Sequence, residues 1–141
     1  MSQSNEMRPP SDWWAKNIRR SRSLLEVFGQ RPASLEGAAC RKIQFDALPT
    51  TVFLHVELAD FPEVPPARWL SNGCDTVALK IEMSDCRDLS GSGAVEPCSI
   101  NITPVGEKSN VMLFGPNFNF GFTAKYPLIC LMRAIKSQGV Q

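Results

Sequence analysis

Thr51-Val52-Phe53-Leu54-His55-Val56-Glu57-Leu58 alternates along its whole length, with Val52, Leu54, Val56 and Leu58 in one phase and Thr51, Phe53, His55 and Glu57 in the other. Successive side chains of a strand point to opposite faces, so a period of two marks a strand with one dry face. Thr76 to Met83 repeats the pattern: Val77, Leu79, Ile81 and Met83 alternate with Thr76, Ala78, Lys80 and Glu82. Two such segments predict antiparallel sheet, dry on one face and largely wet on the other.

The chain between them, Leu58-Ala59-Asp60-Phe61-Pro62-Glu63-Val64-Pro65-Pro66-Ala67-Arg68-Trp69, holds three prolines in five positions. Proline fixes φ and removes a backbone donor, so neither a helix nor a central strand is expected to run through this stretch. It reads as a stiff, ordered connection pinned by Phe61 and Trp69. Outward from this centre the two-residue period continues. Ile43 and Phe45 precede it, and Ser99-Ile100-Asn101-Ile102, Val111 to Phe114, Phe118 to Phe122 and Leu128 to Met132 follow. Leu48-Pro49, Asn72-Gly73, Gly91-Ser92-Gly93, Pro104-Val105-Gly106 and Gly115-Pro116-Asn117 read as turns between them. Phe118, Phe120 and Phe122 share one side of their strand, where core packing is a better reading than base stacking because no basic track accompanies them. Absence of helices between strands excludes a βαβ arrangement. The expected fold is mainly β: an antiparallel sandwich, or a partly open meander or barrel, of about eight strands.

Residues 1–10 are polar and are expected to be disordered. From Ser11 a helical period sets in: Trp14, Ile18 and Leu25 fall on one stripe and Gly29 supplies a stop, so an N-terminal helix, in one or two amphipathic pieces, is predicted over 11–28. One domain then spans 11–136, with a flexible tail at 137–141. At 141 residues the chain is long enough to bury a sizeable core.

Net charge is +1, which favours neither nucleic acid nor a membrane surface as partner. The distribution is uneven. Residues 1–42 carry eight Lys/Arg against four Asp/Glu, residues 43–107 carry three against ten, and the remainder carries four against none. An acidic middle points to a basic partner, with a solvated acidic face as the plain alternative. The five cysteines include no C-x-x-C pair, and the single histidine is His55, so no metal site or cofactor is expected. No leader-like or membrane-spanning apolar run is present, which leads to an expectation of a cytoplasmic chain with reduced thiols. His55 lies in the polar phase and reads as a solvated or edge-strand residue rather than a catalytic one. Asp75, Glu82, Asp85 and Asp88 lack the spacing of a calcium loop. Gly91-Ser92-Gly93 lacks the continuation of a phosphate loop. No catalytic residues are assigned.

The order Leu35-Glu36-Gly37, strand Val52–Leu58, Asp60-Phe61-Pro62, Pro65-Pro66, Trp69, Gly73, Asp75-Thr76-Val77, Leu79 and Arg87-Asp88-Leu89 resembles the immunity protein 50 family of bacterial polymorphic toxin systems. The likeness covers roughly residues 30 to 124 and centres on Phe-Pro-x-x-Pro-Pro-x-x-Trp followed by Thr-Val. It implies a non-catalytic cytoplasmic protein that binds a cognate toxin domain and blocks it. Under that reading Glu57, Asp60, Glu63, Asp75, Glu82 and Asp88 are candidate steering acids for a basic toxin. Trp69 is a candidate anchor, against the alternative that it packs the loop onto the sheet. A ligand-binding protein or enzyme with a cavity between sheets, and a homodimer formed through an exposed strand edge, are the competing classes.

Overall fold

Each alternating segment becomes a pleated strand with its apolar phase inward. The computed structural model describes residues 18–20, 22–29, 34–46 and 50–137. Among these, the strands are β1 (Ala39–Asp46), β2 (Thr51–Glu57), β3 (Thr76–Ser84), β4 (Arg87–Gly93), β5 (Ser99–Val105), β6 (Lys108–Gly115), β7 (Phe118–Ala124) and β8 (Leu128–Ile135). Two short helices, α1 (Arg22–Val27) and α2 (Ala67–Ser71), complete the fold. Sheet A has the order β1-β2-β3-β8 and sheet B the order β4-β7-β6-β5. All their pairings are antiparallel.

The inner faces of the two sheets meet in one core. Val52, Leu54 and Val56 of β2 and Val77, Leu79, Ile81 and Met83 of β3 are buried against Ile100, Ile102, Val111, Leu113 and Phe122 of sheet B. Each such side chain contributes roughly 1.5–3 kcal/mol on leaving water. Phe45 of β1 meets Phe120 of β7 edge to face at 5.7 Å, which ties the facing layers together. At one side the layers are also stitched by backbone: Cys40 N–H donates to the Cys98 carbonyl at 2.7 Å and Cys98 N–H returns the bond at 3.0 Å. The mainly β sandwich expected from the alternation is the observed fold.

Four local expectations are corrected. The proline-rich connection stays non-helical from Leu58 to Pro66, but Ala67 then opens the single turn of α2. Pro66 sits at its N-cap, where a missing N–H costs nothing, and its carbonyl accepts from Trp69 N–H at 2.9 Å. Gly91-Ser92-Gly93 is not a turn but the second half of edge strand β4, paired with Phe118–Phe120 of β7. A Cβ at Gly93 would collide with the Asn117 carbonyl oxygen, so glycine is what lets the two backbones approach.

Of the one or two helical pieces expected over 11–28, the described residues hold one, Arg22–Val27, and residues 18–20 are not helical. Arg19 bridges to β8 instead: its N–H donates to the Pro127 carbonyl at 2.7 Å, and its own carbonyl accepts from Ile129 N–H at 3.0 Å. Arg20 has φ 58°, outside the right-handed helical region, and α1 begins at Arg22. These bonds cover part of the free edge of β8, a stronger local claim than helix propensity. Residues 1–17, including the expected disordered segment, lie outside the described residues. So does most of the expected tail, but Ser137 is held: its N–H and hydroxyl donate to the Asp75 carboxylate at 2.8 and 2.9 Å.

Candidate partner-docking face

Register decides which side chains of sheet A stand together on its outer face. Lys42 of β1 lies opposite His55 of β2, His55 opposite Lys80 of β3, and Lys80 opposite Leu131 of β8. The four form one row across the full width of the sheet, with neighbouring Cβ atoms about 4.5–5.5 Å apart. In the next row Glu57 opposes Ala78, and Ala78 opposes Arg133. On the other side Gln44, Phe53, Glu82 and Leu128 align.

The row is electrostatically one-sided. Arg41 is paired with Glu57 at 2.9 Å, but Lys42, Lys80 and Arg133 have no carboxylate partner among the described residues. Lys80 instead sets its ammonium over the Phe53 ring, 4.8 Å from the centroid. His55 is half-buried, and its Nε2 lies 2.6 Å from Gln44 Oε1. With that oxygen accepting, Nε2 carries the proton and Nδ1 keeps its lone pair. Burial, followed by the charges of Lys42, Lys80 and Arg133, holds the imidazole below its ordinary value of 6.5. Leu131, 51% exposed, adds an apolar patch at the β8 end. Beneath these groups lies an open recess of about 180 Å3, bordered by Arg41, His55, Glu57, Lys80, Leu131 and Arg133.

The acids named from the sequence do not share one surface. Glu57 and Glu82 both lie on the outer face of sheet A, four residues apart along β3 by register, roughly 13 Å. Glu57 is neutralised by Arg41, and Glu82 accepts from the Cys130 thiol at 3.4 Å. Asp60 and Glu63 are exposed on the loop beyond β2. Asp88 is exposed on β4 in sheet B, past the opposite end of β3, with φ 58°. Asp75 is a structural tie rather than a free charge. Hydrogen bonds from the Ser137 N–H, the Thr76 hydroxyl and the Ser137 hydroxyl hold its carboxyl below the usual range.

Of the two readings offered for Trp69, its burial favours packing of the loop onto the sheet: it is 7% exposed and tilts against Phe61 at 6.0 Å. His55 lies in a central strand, not at an edge. Lys42, Lys80 and Arg133 went unnoticed in the sequence, since each looks like an ordinary solvated charge until register sets them around one ring.

Other chemistry is sparse. Cys40 and Cys86 are buried, and burial first of all pushes their thiols up to about 12 and about 11, far from nucleophilic thiolates. Among the described residues no three His, Cys, Asp or Glu side chains gather as a metal site would require. No helix among them is long and apolar enough to cross a membrane. A larger cleft of about 460 Å3 lies between α1, α2 and β8, but its Glu26 is already paired with Arg22 at 2.9 Å. Compared with known proteins, the chain matches no family model, no curated sequence and no solved structure.

Proposed function

We propose that this chain is a non-catalytic binding protein of the immunity type, which captures and neutralises a toxin domain in the cytoplasm of the producing cell. The partner docks on the outer face of sheet A. The observation that carries this reading is the row Lys42–His55–Lys80–Leu131 with Arg133 beside it: three cations with no carboxylate partner among the described residues, on the outer face of one sheet. Like charges gathered around one imidazole raise the energy of the free protein, and an acidic complementary surface relieves that cost. The docking face is thus cationic and its partner acidic at the contact. That reverses the polarity implied by the acidic middle of the sequence.

Packing supports a surface role over a cavity. The inward phases of β2 and β3 are Val, Leu, Ile and Met, all buried, and their facing positions in sheet B are equally apolar. A sandwich filled in this way leaves its outer faces to act. Fast capture by charge and slow release by packed contacts are what a toxin inhibitor requires.

The test is co-expression with the variable C-terminal domain encoded by the neighbouring reading frame, scored as growth rescue. Rescue by the parent chain, lost in Lys80→Glu/Arg133→Glu but kept in Asp88→Lys, is the expected pattern. Rescue that survives the double reversal and fails in Asp88→Lys places the partner on sheet B and ends this reading.

A further inference from the structure

The recess beside His55 has a more specific use, which rests on the docking reading above. We propose that it seats a single carboxylate from an acidic segment of the partner protein, against Lys80 and Arg133 with Lys42 across the imidazole from Lys80, and that His55 takes a proton from solvent at Nδ1 as the carboxylate arrives.

Size narrows the occupant. At about 180 Å3 the recess falls below the roughly 300–1,000 Å3 of sites for drug-sized ligands, and it is open to solvent on the outer face of the sheet. It suits one acidic side chain. Nucleic acid is the weaker candidate, because single strands are held by aromatic faces free to stack. The aromatic ring of this face, Phe53, is half-buried and already covered by the Lys80 ammonium.

Charge supplies the coupling. Around the imidazole stand Lys42 from β1, Lys80 from β3 and Arg133 from β8, and each opposes its protonation. On its own strand Glu57 is neutralised by Arg41 of β1. Glu82 of β3 and Cys130 of β8 are engaged with each other one row away. Among the described residues, the recess is thus lined by no carboxylate that is not already paired with a cation. A carboxylate seated beside Lys80 and Arg133 reduces the opposing field, and the imidazole then gains by becoming a cation itself. Gln44 still accepts from Nε2 in that state, so Nδ1 is the atom that changes. One proton is bound per complex.

His55 is the single histidine in the chain, so its ring protons report without ambiguity. The experiment follows the His55 ring Cε1 proton by NMR through a pH titration of the whole chain at low salt, alone and with hexaglutamate, hexalysine or oligothymidylate. Hexaglutamate is expected to raise the midpoint by about one pH unit, the scale of one charge interaction a few ångströms away near a surface. Hexalysine should leave it in place, and Lys80→Gln/Arg133→Gln should abolish the rise. A midpoint unmoved by saturating hexaglutamate overturns the seat, and so does a rise given by oligothymidylate alone. Loss of growth rescue in the charge reversals together with an unmoved histidine overturns this inference while the docking face stands. A raised midpoint with rescue unaffected keeps the carboxylate seat and moves the toxin contact elsewhere.

Discussion

Replacing Trp69 by alanine separates a core role from a partner-anchoring one. The indole is 7% exposed, sits on the single turn of α2 and tilts against Phe61 at 6.0 Å. A tryptophan in such a place buries on the order of 200 Å2, and at about 25 cal/mol per Å2 its transfer from water amounts to about 5 kcal/mol. Measured truncations of large aromatics cost about 3–5 kcal/mol, the spread reflecting how far the site collapses. Unfolding entropy of about 2.1 cal/mol/K per residue, over 141 residues, comes to about 0.3 kcal/mol/K. Trp69→Ala should therefore lower Tm by about 10–17 °C, read by calorimetry or by circular dichroism at constant pH and salt. Well below that lowered midpoint, the variant should still bind and rescue as the parent does, because the ring is not on the docking face. A variant that melts within about 3 °C of the parent, a loss near 1 kcal/mol, yet fails to bind would refute the argument and return Trp69 to the interface.

Three further outcomes follow from the same coordinates. Folded His55 holds its proton less tightly than the unfolded chain, so its contribution is present above the ordinary value of about 6.5 and is lost as pH falls below it. The urea midpoint should drop over that range, and His55→Gln should flatten the slope; an unchanged slope would assign the pH dependence to other groups. Ser109 is wholly buried on the inner face of β6, and its hydroxyl has no hydrogen-bond partner among the described residues. Ser109→Ala should then raise stability by about 1 kcal/mol in denaturant melts, whereas a loss of that size would show the hydroxyl to be satisfied. Gly93, with φ 110° and the Asn117 carbonyl beneath it, should tolerate no side chain. Gly93→Ala should cost about 1–3 kcal/mol and loosen β4, visible as faster amide exchange in Ser90–Gly93; full protection there would mean that the edge shifts freely.

The strands were legible because their signal is local. Val52–Leu58 and Val77–Met83 carry the inward and outward phases in the sequence itself, and nothing distant is needed to place them. Where the reading failed, a long-range contact outweighed a local preference. Gly91-Ser92-Gly93 has the composition of a turn, yet the backbone of β7 approaches so closely that only glycine fits, and a strand results. Residues 18–20 continue a helical period, but the unpaired edge of β8 offers backbone bonds that a helix cannot supply. Trp69 was identified as one of two things, and burial decides between them.

The site was hidden for a different reason. Summing charge along the chain gives an acidic middle flanked by basic ends, and that sum is correct for a string but misleading for a sheet. The order β1-β2-β3-β8 sets the acidic segment's β2 and β3 between β1, from the basic beginning, and β8, from the basic end. Lys42 and Arg133 thus come to bear on a face whose own acids, Glu57 and Glu82, are both already engaged. Meanwhile Asp60, Glu63 and Asp88 are spread over a loop and the other sheet, and Asp75 closes the end of β3 onto Ser137. The sign of the exposed field at His55 is set by which strands are neighbours. No count along the sequence contains that, because antiparallel register brings together residues 42, 55, 80 and 131, which have nothing but solvent in common until the sheet forms.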